Sequence, residues 1–244
     1  MNKTWVLCKR ELQSYFSTPI AYVFIVVFLL ISGLATFYIG NFFARGQADL
    51  VSFFSFHPWL YMLFIPAISM RLWSEERKSG TIELLFTLPI TTWQAISGKY
   101  LAAFIFTAFA LLLTFPLWIA VNYLGNPDNG VIFAGYLGSL FMAGSFLAVG
   151  AAISAVTKNQ VVAFVLSLIA CLAMNLLGFP LIIDQIRGVL PNFVIETISS
   201  FSFLTNFDAI SRGLLDVRSI IYFATLMLFS LFANAVIIET KKAD

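Results

Sequence analysis

Hydrophobic residues in this chain fall into long runs separated by short polar segments. Six runs, approximately Ile20–Phe42, Val51–Met70, Tyr100–Leu124, Val131–Val156, Val161–Ile183 and Ile220–Ile238, are long enough to cross a bilayer as helices, which takes about 20 apolar residues. Ahead of the first run, Trp5, Cys8, Leu12, Tyr15 and Phe16 recur at three- and four-residue steps, while Lys9, Arg10 and Gln13 point elsewhere. That pattern predicts an amphipathic helix lying in the membrane interface, ended before the first run by Pro19. A simple positively charged flank is the plainer alternative.

The polar pattern is densest between the second and third runs. Arg71 to Lys99 carries Arg71, Glu75, Glu76, Arg77, Lys78, Glu83 and Lys99 between two charge-free runs, which marks a polar platform on one membrane face. Ser79-Gly80 reads as a turn, and Thr81–Thr87 as a short helix with Glu83 in its first turn, facing the positive end of the dipole. Pro89 stops that helix, because proline has no amide to donate and disfavours helix in the residue before it. Thr91 and Gln94 have capping-box spacing, so a new helix starts there. A short helix laid across the ends of two membrane helices is a surface on which another protein could push; a solvated loop is the bland alternative.

Inside the runs the polar residues are few. Pro66 predicts a kink in the second, and His57 near its outer end reads as an interfacial or bundle-facing residue rather than a metal ligand, since no second histidine exists. Gly144, Ala148 and Ala152 form a row of small residues in the fourth run, where another helix of this chain or of a partner chain could approach closely. The segment Asp184 to Arg218 is no ordinary polar loop. Its stretch Val189–Leu204 stays apolar and aromatic but is interrupted by Pro191, Asn192 and Glu196. It predicts re-entrant or external helices before the last span: short pieces dipping into the outer half of the membrane, or a folded external cap. With no repeat or linker visible, residues 1–244 read as one domain.

Composition agrees with the pattern. Only 11% of residues are charged and 60% are hydrophobic, with a mean hydropathy of +0.93; soluble domains run about 25% charged. The chain is therefore expected to be an all-α integral membrane protein, and its net charge of +2 gives no reason to expect a nucleic-acid partner. If the amino terminus is inside, the outer segments hold only Arg45, Arg187, Arg212 and Arg218, and all other Lys and Arg, from Lys3 to Lys242, are inside. The positive-inside bias then puts both termini and the platform in the cytoplasm. The first run is too long for a signal-peptide core and reads as an uncleaved anchor. Cys8 and Cys171 read as buried thiols rather than a disulfide.

Catalytic motifs are missing. Ser97-Gly98-Lys99-Tyr100 resembles the end of a phosphate-binding loop, but Trp93 stands where the earlier glycine belongs, and Tyr100 replaces the magnesium-binding hydroxyl. One histidine permits no paired-His zinc site, and no Gly-x-Ser-x-Gly turn accompanies it. The runs also lack the acids that ion-coupled pumps place in the membrane. If this chain moves a solute, a partner must supply the energy.

The run EERKSGTIELLFTLPITTWQAISGKYL resembles the cytoplasmic loop of type-2 ABC exporter permeases, with the charged cluster, Gly-Thr-Ile-Glu-Leu-Leu, Leu-Pro and Gly-Lys in that family's order. SYFSTPIAYVFIVVFLLISGL, HPWLYMLFIPAISMRLWSEERKSGTIELL and Lys158-Asn159-Gln160-Val161-Val162-Ala163-Phe164 are similar to the gliding-motility-associated (Gld-type) permease subfamily. The resemblance implies a non-catalytic half-transporter in the bacterial cytoplasmic membrane. An identical or related second permease subunit would pair with it, and separate ATPase subunits would hold ATP and magnesium. It makes the helix around Gly80 to Leu88 the coupling helix, with Glu75, Glu76, Arg77, Lys78, Gly80, Thr81, Glu83, Leu84 and Leu85 in the ATPase-contact region. The amino-terminal helix, with Trp5, Arg10, Glu11 and Leu12, would support that contact. A structural or mechanical role in a surface or motility complex is the alternative implied by the subfamily.

Overall fold

The computed structural model describes residues 3–187, 191–214 and 216–241, which form helices and connecting turns without any strand. Helix α1 (Lys3–Ser17) is followed at Pro19 by α2 (Pro19–Leu34), whose last turn widens into a π-helical turn over Ala35–Ile39. The second apolar run is divided into α3 (Val51–Ser55) and α4 (His57–Ser69), and the chain continues through Met70 into α5 (Arg71–Ser79). Then come α6 (Thr81–Thr87), α7 (Thr92–Leu112) and α8 (Phe115–Leu124). The remainder is α9 (Asn129–Val156), α10 (Gln160–Leu176), α11 (Pro180–Ile186), α12 (Asn192–Ser200), α13 (Phe203–Ser211) and α14 (Val217–Thr240).

Four helical stretches, Pro19–Ile39, Thr92–Leu124, Asn129–Val156 and Val217–Thr240, are long and apolar enough to cross a membrane. The second and fifth runs, each expected as one long helix, are broken. Val51–Met70 is interrupted at Phe56, with Pro58 opening the next helix, while Pro66 is accommodated inside α4. The fifth run stops at Leu176, ahead of Gly178 and Pro180, instead of reaching Ile183. The third run has an unforeseen break at Leu113–Thr114, where Pro116 in the first turn of α8 leaves a carbonyl one turn back without its amide. Start signals inside the chain are satisfied as their sequence suggests: Asp128, Asn159 and Asp216 cap α9, α10 and α14 through their carboxylate or amide oxygens.

Helix α9 is the axis, packed against α4, α5, α7, α10, α13 and α14. Its small residues explain why. A methyl group at Gly144 would lie 2.8 Å from Met227 Sδ and 2.9 Å from the Tyr100 hydroxyl; one at Gly150 would lie 2.0 Å from Ser69 Oγ. Of the row Gly144, Ala148 and Ala152, Gly144 packs against α7 and α14 of this chain; Gly144 and Ala148 are buried and Ala152 half-buried. His57 faces the bundle interior, its Nδ1 3.0 Å from the Phe53 carbonyl, among Phe53, Phe54, Tyr61 and Phe207.

Of the segment before the last helix, α13 is the packed part, with Phe203, Phe207 and Ile210 buried, whereas α12 is largely exposed. Val189 and Leu190 of this segment, and Lys242 of the inner charges, lie outside the described residues.

Candidate functional site

The platform is assembled from local signals first. Gly80, at φ +73°, takes the left-handed conformation that ends α5 and lets α6 leave at an angle. After α6, Leu88 is extended ahead of Pro89. Thr91 and Gln94 then close a reciprocal capping box, Gln94 N donating to the Thr91 hydroxyl (3.2 Å) and Thr91 N to the Gln94 carbonyl oxygen (3.1 Å). Lys3 of α1 donates to the Pro89 carbonyl and ties the amino-terminal helix to this turn.

Tertiary contacts then lock the platform around Lys99, which is 3% exposed. Its ammonium lies 2.8 Å from Glu76 Oε1 of α5 and 3.4 Å from Glu11 Oε2 of α1, and sits 5.4 Å from the centre of the Trp73 ring. One cation therefore joins three helices. Next to it, Gly98 allows α1 to lie close to α7, with Leu7 side-chain atoms at 3.0 and 3.1 Å from the place a methyl group would take. Burial pushes the Glu11 carboxyl up, but Lys99 and Arg10 outweigh it and hold the group below the usual carboxylate range. On the same helix, burial and the nearby Glu11 charge push the Cys8 thiol up, which keeps it protonated.

Two further contacts fix α5 and α14 to the end of the axis. Arg77 of α5 donates to the Ala155 carbonyl and Lys241, at the end of α14, to the Val156 carbonyl. Both cations thus satisfy the carbonyl end of α9, where its dipole is negative. At the joint between α4 and α5, Ser154 of α9 brackets the break. Its hydroxyl accepts from the Trp73 and Ser74 amides, both at 3.1 Å, and donates to the Met70 carbonyl at 2.7 Å. No residue of α5's own start caps it, so a side chain from another helix does this work.

This geometry divides the residues of the expected contact region. Lys78, Gly80, Thr81, Glu83 and Leu84 are exposed, Leu84 at 66%, and Leu88 continues that surface. Glu75 is exposed and paired with Arg71 at 3.0 Å. Glu76, Arg77 and Leu85 face inward: Glu76 onto Lys99, Arg77 onto α9, and Leu85 into the core at 5% exposure. In α1, Glu11 and Leu12 are half-buried on the α7 side, while Trp5 and Arg10 are exposed, so Trp5 does not share the buried face with Cys8. By sequence, Lys99 counts among the platform charges but not as its buried centre, and Trp73, Gly98 and Ser154 are not singled out as platform-building residues. The available signal was a lysine and a glycine about two turns inside a strongly capped helix. Ser97-Gly98-Lys99 is helix interior here, and Lys99 is fully engaged by carboxylates. Among the described residues, no group of three His, Cys, Asp or Glu side chains is gathered where a metal ion could be held.

The whole platform after Met70, and every helix from α4 to α14, lies in or largely within the part of the chain matched by a known family. Residues 59–239 match the family described as ABC-2 family transporter protein. No curated protein matches the sequence.

Proposed function

The chain belongs to the ABC-2 transporter family, and on that premise we propose that it is an exporter permease in which α6 is the coupling helix. Membership makes it a multi-pass membrane permease component of an ABC transporter, whose family works with an ABC ATPase. The observation that carries the finer reading is the braced platform. Glu83 and Leu84 on a short helix, and Leu88 just after it, are presented outward, while Lys99, Glu11, Glu76 and Arg77 anchor what lies behind them to α1, α7 and α9. A surface that must transmit force needs such backing, because a packed and ion-paired support moves as a body.

In this reading ATP is bound and hydrolysed by the partner. Closure of the ATPase pair pushes α6, and the push passes along α5 to α4 and along α7, biasing two packings of the bundle. Two permease subunits, identical or related, six crossings, and a bacterial inner membrane with the platform in the cytoplasm complete the proposal. The similarity to the Gld-type subfamily remains a sequence likeness that supports this architecture without naming a substrate.

The test is purification of the tagged chain from its native membrane in mild detergent, with mass spectrometry and an ATP hydrolysis assay. An ATPase subunit should be recovered in about equal amount. Glu83→Lys or Leu84→Asp should remove it while the chain still inserts and elutes as a folded species. Retention of a fully active ATPase by both variants would exclude α6 as the contact.

A further inference from the structure

Away from the platform, a groove runs along α14, between that helix and the turn joining α12 to α13. It is lined by Phe201, Asn206, Arg218, Ile221, Leu226 and Phe229, with a volume of about 730 Å³, which suits a ligand with a chain rather than a few waters. Its lining residues on α14 recur at three- and four-residue steps, so they form one stripe of the helix. From Arg218 to Phe229 the stripe is about 16 Å long at 1.5 Å per residue. That is close to half the roughly 30 Å hydrocarbon core, the depth of one leaflet.

The polar mouth has one charge left over. The Tyr222 hydroxyl donates to the Phe201 carbonyl at 2.6 Å, and the Asn206 amide donates to the Ser200 and Ser202 carbonyls, both at 2.8 Å. The wall is therefore satisfied by its own bonds. Of the nearby acids, Asp208 is paired with Arg212 at 2.8 Å, and Asp216 caps α14 by accepting the Arg218 backbone amide at 3.0 Å. The Arg218 guanidinium has no hydrogen bond or ion pair with the described residues. A planar cation in the first turn of a helix long and apolar enough to cross a membrane, beside an apolar stripe about one leaflet long, matches a phosphate joined to an acyl chain.

We propose that this groove is a binding site for an anionic phospholipid, with its phosphate on Arg218 and one acyl chain along Ile221, Leu226 and Phe229. The site needs no ATPase and would be filled in the resting permease.

The test uses the full chain purified in mild detergent, stripped of lipid and titrated with phosphatidylglycerol or phosphatidylcholine, with bound lipid counted by native mass spectrometry. One phosphatidylglycerol should be retained in preference to phosphatidylcholine. Arg218→Gln should weaken that retention roughly tenfold, the scale of one lost charge-assisted contact, and Arg218→Lys should restore part of it. Ile221→Trp, which fills the groove but keeps the cation, should also lose the lipid. Equal retention of the two lipids, or retention unchanged in Arg218→Gln, would overturn the proposal. So would efficient cross-linking of two Phe229→Cys chains by a short bismaleimide, which would make this face an interface between two copies; the native Cys8 and Cys171 are buried and do not interfere.

Discussion

Lys99 occupies a place where a cation is expensive to bury, and it is stable there because two carboxylates and an aromatic face converge on it. Truncating it leaves Glu76 without its counter-charge and Glu11 with only the exposed Arg10. Lys99→Met should therefore destabilise the chain by about 3–5 kcal/mol, the usual cost of breaking a buried pair from one side. Thermal unfolding in detergent measures this, and adding Glu11→Gln and Glu76→Gln to the same chain should recover part of the loss. The Glu11 carboxyl also predicts a pH dependence. Its folded value lies below the ordinary 4.5, mainly because Lys99 and Arg10 together overcome the effect of burial. Its stabilising contribution is then fully present above about 4.5 and is lost as pH falls through the folded value. The difference in unfolding midpoint between the parent chain and Glu11→Gln should be constant from pH 8 to 6 and shrink below about 4.5. A difference that instead widens on acidification would contradict the ion pair. None of this pairing is written locally: Glu11, Glu76 and Lys99 are distant in sequence, and only the fold brings them to one point.

Elements differ in how far their own residues determine them. The left-handed turn at Gly80, the span of α6, its stop before Pro89 and the capping box of α7 were all legible, because each depends on residues within one turn of each other. The joint at Met70 was not, since its cap is Ser154, contributed from α9. That difference gives a prediction. Ser154→Ala removes the acceptor of two buried amides and a donor, so it should cost roughly 2–4 kcal/mol, at about 1–3 kcal/mol for each orphaned group with partial relaxation. Ser145→Ala is the control. Its hydroxyl also joins two helices, but it only donates, to the Phe141 and Phe223 carbonyls, and should cost about 1 kcal/mol or less. Equal unfolding midpoints for the two variants would show that the bracket does not hold the joint. Gly150→Ala acts at the same place by a different route, because its methyl group would overlap Ser69 Oγ and force α4 away from α9.

At the scale of the whole molecule, the apolar runs were read correctly as helix, but their breaks carry the topology. Only four helical stretches are long and apolar enough to cross, yet the ends of the shorter ones are fixed to opposite ends of the bundle. At one end of α4 the Pro58 carbonyl accepts from Asn175, near the end of α10; at the other, the Met70 carbonyl accepts from Ser154, near the end of α9. Helix α10 starts three residues beyond α9, on the platform side, and finishes beside Pro58. Helices α4 and α10 thus lie in opposite senses between these two contacts, and the proposed six crossings require both of them to cross. Cysteine accessibility in sealed vesicles tests that arrangement. With a membrane-impermeant maleimide, Lys3→Cys and Lys78→Cys should label from one side only, and Asn126→Cys and Phe193→Cys from the other. Loss of the α4 crossing would put Lys78 on the side opposite Lys3 whether or not α10 crosses, and loss of α10 alone would move Phe193 to the Lys3 side while Lys78 stays with Lys3. The four labels therefore separate six crossings from five and from four, and repeating the Lys78 and Asn126 pair within one vesicle preparation fixes the orientation of α7 and α8 independently of the rest.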